Sequence, residues 1–348
     1  MTNIGDNLRG NDKRGGYTSA YMQATFLAPI RFFALTALLV LLPSTACFGW
    51  GSDGHRMINR LAAEHLPSDL PAFLHTPAAI DEIEYLGPEP DRWRSPGEPE
   101  LNNEQAPEHF IDLELADMVG KLPRRRYDYI AALYAAGLTH PWMAAELRPE
   151  KAGLQPYVTT EVYQRLKAAM REYRGLSAQG KDTRPVEQAI IFYMGWLGHY
   201  VGDGSQPLHV TTSYDGWVGK ENPNGYTTLH GIHSKFESTF VAANIKAADV
   251  APLMTAPQQI GDIFDDYVAY LRHSATLIER TYQLEKLGGF DGAGTAESKQ
   301  FTAERLAAGA SELRDLYVSA WTESAKPVPE WHDAPKAPAA GVKPGAGL

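Results

Sequence analysis

The chain predicts an all-α fold, a single helical-bundle domain with long active-site loops, and three observations predict it. Apolar residues recur at helical intervals in the long periodic segments, no segment alternates as a strand would, and Pro, Gly and Asn collect between the periodic segments. The first helix is read in "GHRMINRLAAEHL", where Met57, Ile58, Leu61 and Leu66 fall near one face. "YDYIAALYAAGL" and "TTEVYQRLKAAMREYRG" follow the same rule. "RPVEQAIIFYMGWLGHYVGD" opens with Pro185 in its first turn and is apolar almost all round, so it reads as the central, buried helix. Two further amphipathic stretches, about 257–286 and 297–323, complete the bundle. Residues 87–109 and 211–231 read as long irregular segments, a length that inside a compact domain marks a functional loop.

The chain has 348 residues, 44% of them hydrophobic and 21% charged, enough for a substantial core. Residues 1–49 hold four Lys or Arg and two acids, which leaves 28 basic against 40 acidic residues from Trp50 onward. A body so acidic excludes a broad basic face that tracks nucleic acid by counterion release, so a phosphate-bearing substrate needs local cations. "RFFALTALLVLLPSTACFG" sets Arg31 before a short apolar run and then small residues, the layout of a secretory signal over 1–49 with cleavage after Gly49. The run is short for a membrane span. The only cysteine, Cys47, lies inside this segment, so no disulfide holds the remainder. Export to the periplasm or medium is the expectation. A domain over 50–324 and a disordered Pro/Ala/Gly-rich tail over 325–348 complete the organisation.

Chemistry concentrates in "GHYVGDGSQPLH" and "HSKFE". His199 and Asp203 are four apart on a helix and project from one face, His209 follows a short turn, and His233 and Glu237 repeat the spacing of four. Imidazole with carboxylate suits zinc. Glu-x-x-His pairs that hold di-iron centres have a spacing of three, so zinc is preferred over iron here.

With these blocks in view, the chain resembles the trinuclear-zinc, single-strand-preferring nucleases (type I, or 3'-nucleotidase/nucleases) and their relatives, the bacterial zinc-dependent phospholipases C. "WGSDGH" is similar to the family's mature start, "DRWR" to its aspartate-arginine segment, "EHFIDLE" to its His-Phe-Ile-Asp segment, and "GDGSQPLH" to its most specific block. The resemblance implies three zinc ions: one held by Asp91, His109, His199 and Asp203, one by His209, His233 and Glu237, and one by Trp50, His55 and Asp203. It further implies that Asp91 orients or deprotonates the attacking water, that Arg94 neutralises phosphoryl charge, and that Phe110 stacks on a base whose edge Asp112 binds. Tyr214, Trp217 and Tyr226 are candidates for a groove wall.

The implied activity is hydrolysis of single-stranded DNA and RNA, or of nucleotides, with phospholipid as the alternative substrate and no stable protein partner. A departure at Glu237, where the nucleases carry Asp, favours the phospholipase form. The five-residue spacing of Trp50 and His55, with "HFID", favours the nuclease. A secreted zinc-binding protein without turnover is the reading from another class.

Overall fold

The computed structural model describes residues 50–329, and among them the only β-type pairing is an isolated bridge between Ile111 and Gly153. The expected signal segment, with Cys47, and the expected tail from residue 330 onward lie outside the described residues. The all-α expectation holds. The principal helices are α1 (Gly51–Glu64), α2 (Pro77–Leu86), α3 (Glu89–Trp93), α4 (Pro99–Gln105), α5 (Arg126–Thr139), α6 (Gln155–Ala178), α7 (Arg184–Ser205), α8 (Ile263–Ala275), α9 (Ile278–Lys286) and α10 (Ala296–Ser324).

α7 is the hub. It packs against α1, α2, α6 and α10, and every residue from Leu197 to Ser205 is buried, as its all-round apolar pattern requires. Gly202 is needed for that closeness: a Cβ there would stand 2.9 Å from His55 Nδ1, so α1 meets α7 only where side-chain bulk is absent. The contact sets His55 of α1 beside Asp203 of α7. α10 closes the other side, where Leu306, Ala310, Leu313 and Tyr317 are buried and the Tyr317 hydroxyl donates to the Met194 carbonyl (2.7 Å).

Two expectations need correction. The stretch 257–286 is not one helix but α8 and α9, separated at Thr276 and Leu277. Residues 87–109 are not an irregular loop: they fold into α3, α4 and a 3-10 turn, Ala106–His109. Each of the three has Pro in its first turn (Pro90, Pro99, Pro107), where the missing N–H costs nothing and the fixed φ starts a helix. Residues 211–231 are loop, as their composition predicts.

Candidate metal centre

Nine residues expected at the site are at most 8% exposed: Trp50, His55, Asp91, His109, Asp112, His199, Asp203, His209 and His233, with Glu237 fully buried beside them. Asp203 lies at the middle. Its Oδ2 is 3.3 Å from His109 Nδ1 and 3.4 Å from His199 Nε2, and its Oδ1 is 3.3 Å from His55 Nε2. Asp91 Oδ1 faces the same two imidazoles at 3.8 and 3.7 Å. A further group is tighter: His233 Nε2 approaches Glu237 Oε2 to 2.7 Å, and His209 Nε2 lies 3.5 Å from the same oxygen. The ligand atoms of three sets (His55, His199, Asp203; Asp91, His109, His199; His209, His233, Glu237) each fall within 4.8 Å of one another, so three groups here could hold a metal ion.

The donors fit such ions. Both nitrogens of His55, both oxygens of Asp91 and of Asp203, and Glu237 Oε1 are buried without a hydrogen-bond partner. Buried polar atoms are ordinarily satisfied, and carboxylates brought together need a cation between them. Burial lowers His199 well below its ordinary value and takes His109 and His233 down to about 4, which keeps them neutral, the form that ligates. Burial also pushes Asp91 up, with Asp203 adding to it, and pushes Glu237 up to about 8. Asp203 differs because His209, His199, His109 and His55 together outweigh the burial that would raise it, holding it well below the usual carboxylate range.

Second contacts aim the rings. His199 Nδ1 is 2.9 Å from the Gly87 carbonyl, His209 Nδ1 2.8 Å from the His109 carbonyl, and His233 Nδ1 3.1 Å from the Tyr214 carbonyl. N–H donation there leaves each Nε2 directed at the centre. His109 is reversed: its Nε2 faces Gln105 Oε1 at 3.3 Å and its Nδ1 faces inward. Gln206 donates from Nε2 to Glu237 Oε2 (3.1 Å) while its Oε1 accepts from the Leu208 N–H (2.6 Å). Sequence reasoning missed Gln105 and Gln206. The available signals were their places, four residues before His109 on the same helical run and three before His209 within "GSQPLH".

His233 and Glu237 do not share an ordinary α-helix. Ile232–Ser234 passes into a π-helical turn, Lys235–Phe240, of the kind that concentrates at functional sites. Trp50 precedes α1, its indole N–H lying 2.8 Å from the Gly202 carbonyl and 2.7 Å from Ser205 Oγ, which pins it next to Asp203. Its carbonyl accepts the first helical bond, from the Gly54 N–H.

Beside the groups opens a cavity of about 610 Å3, whose wall includes His109, His209 and His233 together with Arg94, Phe110, Asp112 and Tyr214. Phe110 is half-buried and belongs to this wall. The strand-like segment 110–112 is clamped from both sides: the Ile111 N–H donates to the His209 carbonyl, the Asp112 N–H to the Ala152 carbonyl, and the Gln155 N–H to the Phe110 carbonyl. Gly153 makes the clamp possible, since it sits at φ +83° and a Cβ would lie 2.1 Å from the Phe110 carbonyl oxygen. Burial, reinforced by Glu114, pushes the Asp112 carboxyl up to about 8, so it carries a proton at neutral pH. Trp217 and Tyr226 do not reach the cavity; their rings pack on Tyr282 of α9 and anchor the 211–231 loop.

The model of a family described as S1/P1 Nuclease matches residues 50–225. The chain belongs to the S1/P1 nuclease family. The match begins at Trp50 and takes in the Asp91, His109, His199, Asp203 and His209 positions, whereas His233 and Glu237 lie beyond it and join the site through the fold. Membership makes the chain a nuclease-type phosphodiesterase. No curated protein matches the chain significantly.

Proposed function

We propose that this S1/P1 family member is an exported zinc-dependent phosphodiesterase that cleaves single-stranded DNA and RNA to 5'-phosphate products and removes 3'-phosphates from nucleotides. The observation that carries the reading is the clustering of three buried imidazole–carboxylate groups, two of which, through His109 and through His209 and His233, line a cavity that also offers a guanidinium and a flat aromatic ring. Asp91, His109, His199 and Asp203 would hold one zinc, His209, His233 and Glu237 a second, and His55, Asp203 and Trp50 a third. Bound there, zinc supplies acidified water at neutral pH and neutralises oxygens of an in-line displacement.

The chain's own groups supply the rest. Asp91 orients the attacking water and takes its proton at a carboxylate oxygen as the new P–O bond forms; the P–O3' bond breaks, and the departing 3'-oxygen takes a proton from solvent. Arg94 donates N–H bonds to the phosphoryl oxygens as their charge grows. Phe110 stacks on a base, which contributes about 1–3 kcal/mol and tolerates any base. Protonated Asp112 donates one hydrogen bond to the base edge and accepts another. A base must leave a duplex to enter such a cavity, so unpaired strands are preferred.

Export processing completes the third group. Cleavage before Trp50 converts its amide nitrogen into an α-amine, which with the carbonyl oxygen can chelate, and the pinning of the indole near Asp203 favours that arrangement. N-terminal sequencing of active protein should begin at Trp50.

The second reading, a zinc-dependent phospholipase C, rests on Glu237 in place of Asp. Incubating the purified protein and zinc with single-stranded DNA, RNA and phosphatidylcholine separates the readings. Nucleotides ending in 5'-phosphate are expected. Phosphocholine without nucleotide would transfer the assignment to the phospholipase, and bound zinc with no turnover would mark a binding protein.

A further inference from the structure

Helix α5 has an outward face that no described element covers. Tyr127, Ala131, Tyr134 and Leu138 recur at intervals of four, three and four, all exposed, and Trp142 follows four residues later in the 3-10 turn Pro141–Met143. Tyr127, Tyr134, Leu138 and Trp142 are 76%, 46%, 84% and 76% exposed. From Tyr129 to Ala145 the chain has no Asp, Glu, Lys or Arg, although 21% of its residues are of those types. Apolar side chains ordinarily turn inward on a helix; this stripe turns outward.

We infer that this face is a lipid-docking surface, which seats the protein on an electrically neutral, phosphatidylcholine-type interface. Size argues against a second copy. Three aromatic side chains and a leucine at these exposures present about 500 Å2, below the roughly 800 Å2 per partner of a stable protein interface. Chemistry favours lipid: Trp and Tyr with an aliphatic neighbour are the side chains that settle at the headgroup level.

Charge selects the lipid. The cations on the N-terminal flank of the stripe are paired, Arg125 with Asp128, Arg126 with Glu108 and Glu161, and Arg124 with Asp262 and Asp265, and on its C-terminal flank Arg148 and Lys151 are matched in number by Glu146 and Glu150. The acidic body gains nothing from an anionic bilayer. Among the described residues no helix is long and apolar enough to cross a membrane, so the contact is peripheral. Met143, next to Trp142, lines the cavity, and docking therefore brings the cavity mouth beside the headgroups. The inference stands whichever diester the site cleaves.

Wild type and a Leu138→Glu/Trp142→Ala variant, both isolated after export with Trp50 verified as the first residue, are sedimented with phosphatidylcholine vesicles. Both substituted side chains are exposed, so equal melting temperatures are expected. Partitioning should fall at least about tenfold in the variant and should not weaken as salt rises. Brominated lipid should quench a component of the fluorescence that a Trp142→Phe variant lacks.

Hydrolysis of soluble bis(p-nitrophenyl) phosphate should be equal in the two proteins. A wild type without that turnover would sink the diesterase reading and leave docking to be judged by sedimentation alone. Docking is overturned if wild type ignores the vesicles or the variant binds as well. It is equally overturned if the variant instead loses an oligonucleotide-binding surface or a dimer.

Discussion

Asp203 is the residue on which the site turns, because its two carboxylate oxygens, fully buried, face His55, His109 and His199 at 3.3–3.4 Å. The groups around it are only as good as the side chains that aim them, and Gln206 is the clearest case. Gln206→Leu keeps the volume but removes the N–H donor to Glu237, so zinc affinity, read by competition with a chelator, should fall about 10- to 100-fold. Unchanged affinity would show that Glu237 is positioned by its own helix. Asp112 gives a pH test. Its carboxyl is raised to about 8 in the folded protein, whereas an unfolded aspartate titrates near 3.9, so between about pH 4 and 8 unfolding releases a proton and stability falls as pH rises. Asp112→Asn should flatten that slope in calorimetry across about pH 5 to 8. A slope identical to wild type would remove Asp112 as its source.

At the scale of elements, the long helices were legible because their apolar periodicity extends over several turns, and α7 was legible as buried because its pattern has no polar face. The short helices at 87–109 were not. Proline there reads as a breaker, yet at a first turn it initiates, and only the tertiary frame decides which role applies. The π-helical turn at Lys235–Phe240 was equally hidden, since a His and a Glu four apart look the same in α and π geometry. Ligand pairs were visible from spacing, but the meeting of His55, Asp91 and His109 around His199 and Asp203 depends on the approach of α1, α3 and the 109 segment to α7. The Gly153 turn is an element whose failure should be measurable. Gly153→Ala forces a side chain into φ +83° and against the Phe110 carbonyl, at a cost of about 1–3 kcal/mol, and should raise KM for a dinucleotide by moving Phe110. A urea melt superimposable on wild type would mean that the turn relaxes freely.

For the whole molecule, the three groups that could hold a metal are part of the buried core. Asp91, Asp203 and Glu237 come together inside the bundle, so withdrawing a metal held among them would leave carboxylates desolvated beside one another. Chelation should lower the melting temperature, zinc should restore it, and magnesium, which prefers octahedral oxygen ligands, should not. Insensitivity to the chelator would mean the groups are satisfied without metal. The charge balance read from composition also has its place at this scale: on the proposed reading, a phosphate reaching so acidic a molecule would have to be met by a local cation, and Arg94 lines the cavity.

Anomalous diffraction at the zinc absorption edge, from crystals of the chain isolated after export, tests the metal-centre assignment most directly. Three peaks are expected, one within each His–carboxylate group and two of them sharing Asp203. A single peak, or zinc bound away from Asp203, would contradict it.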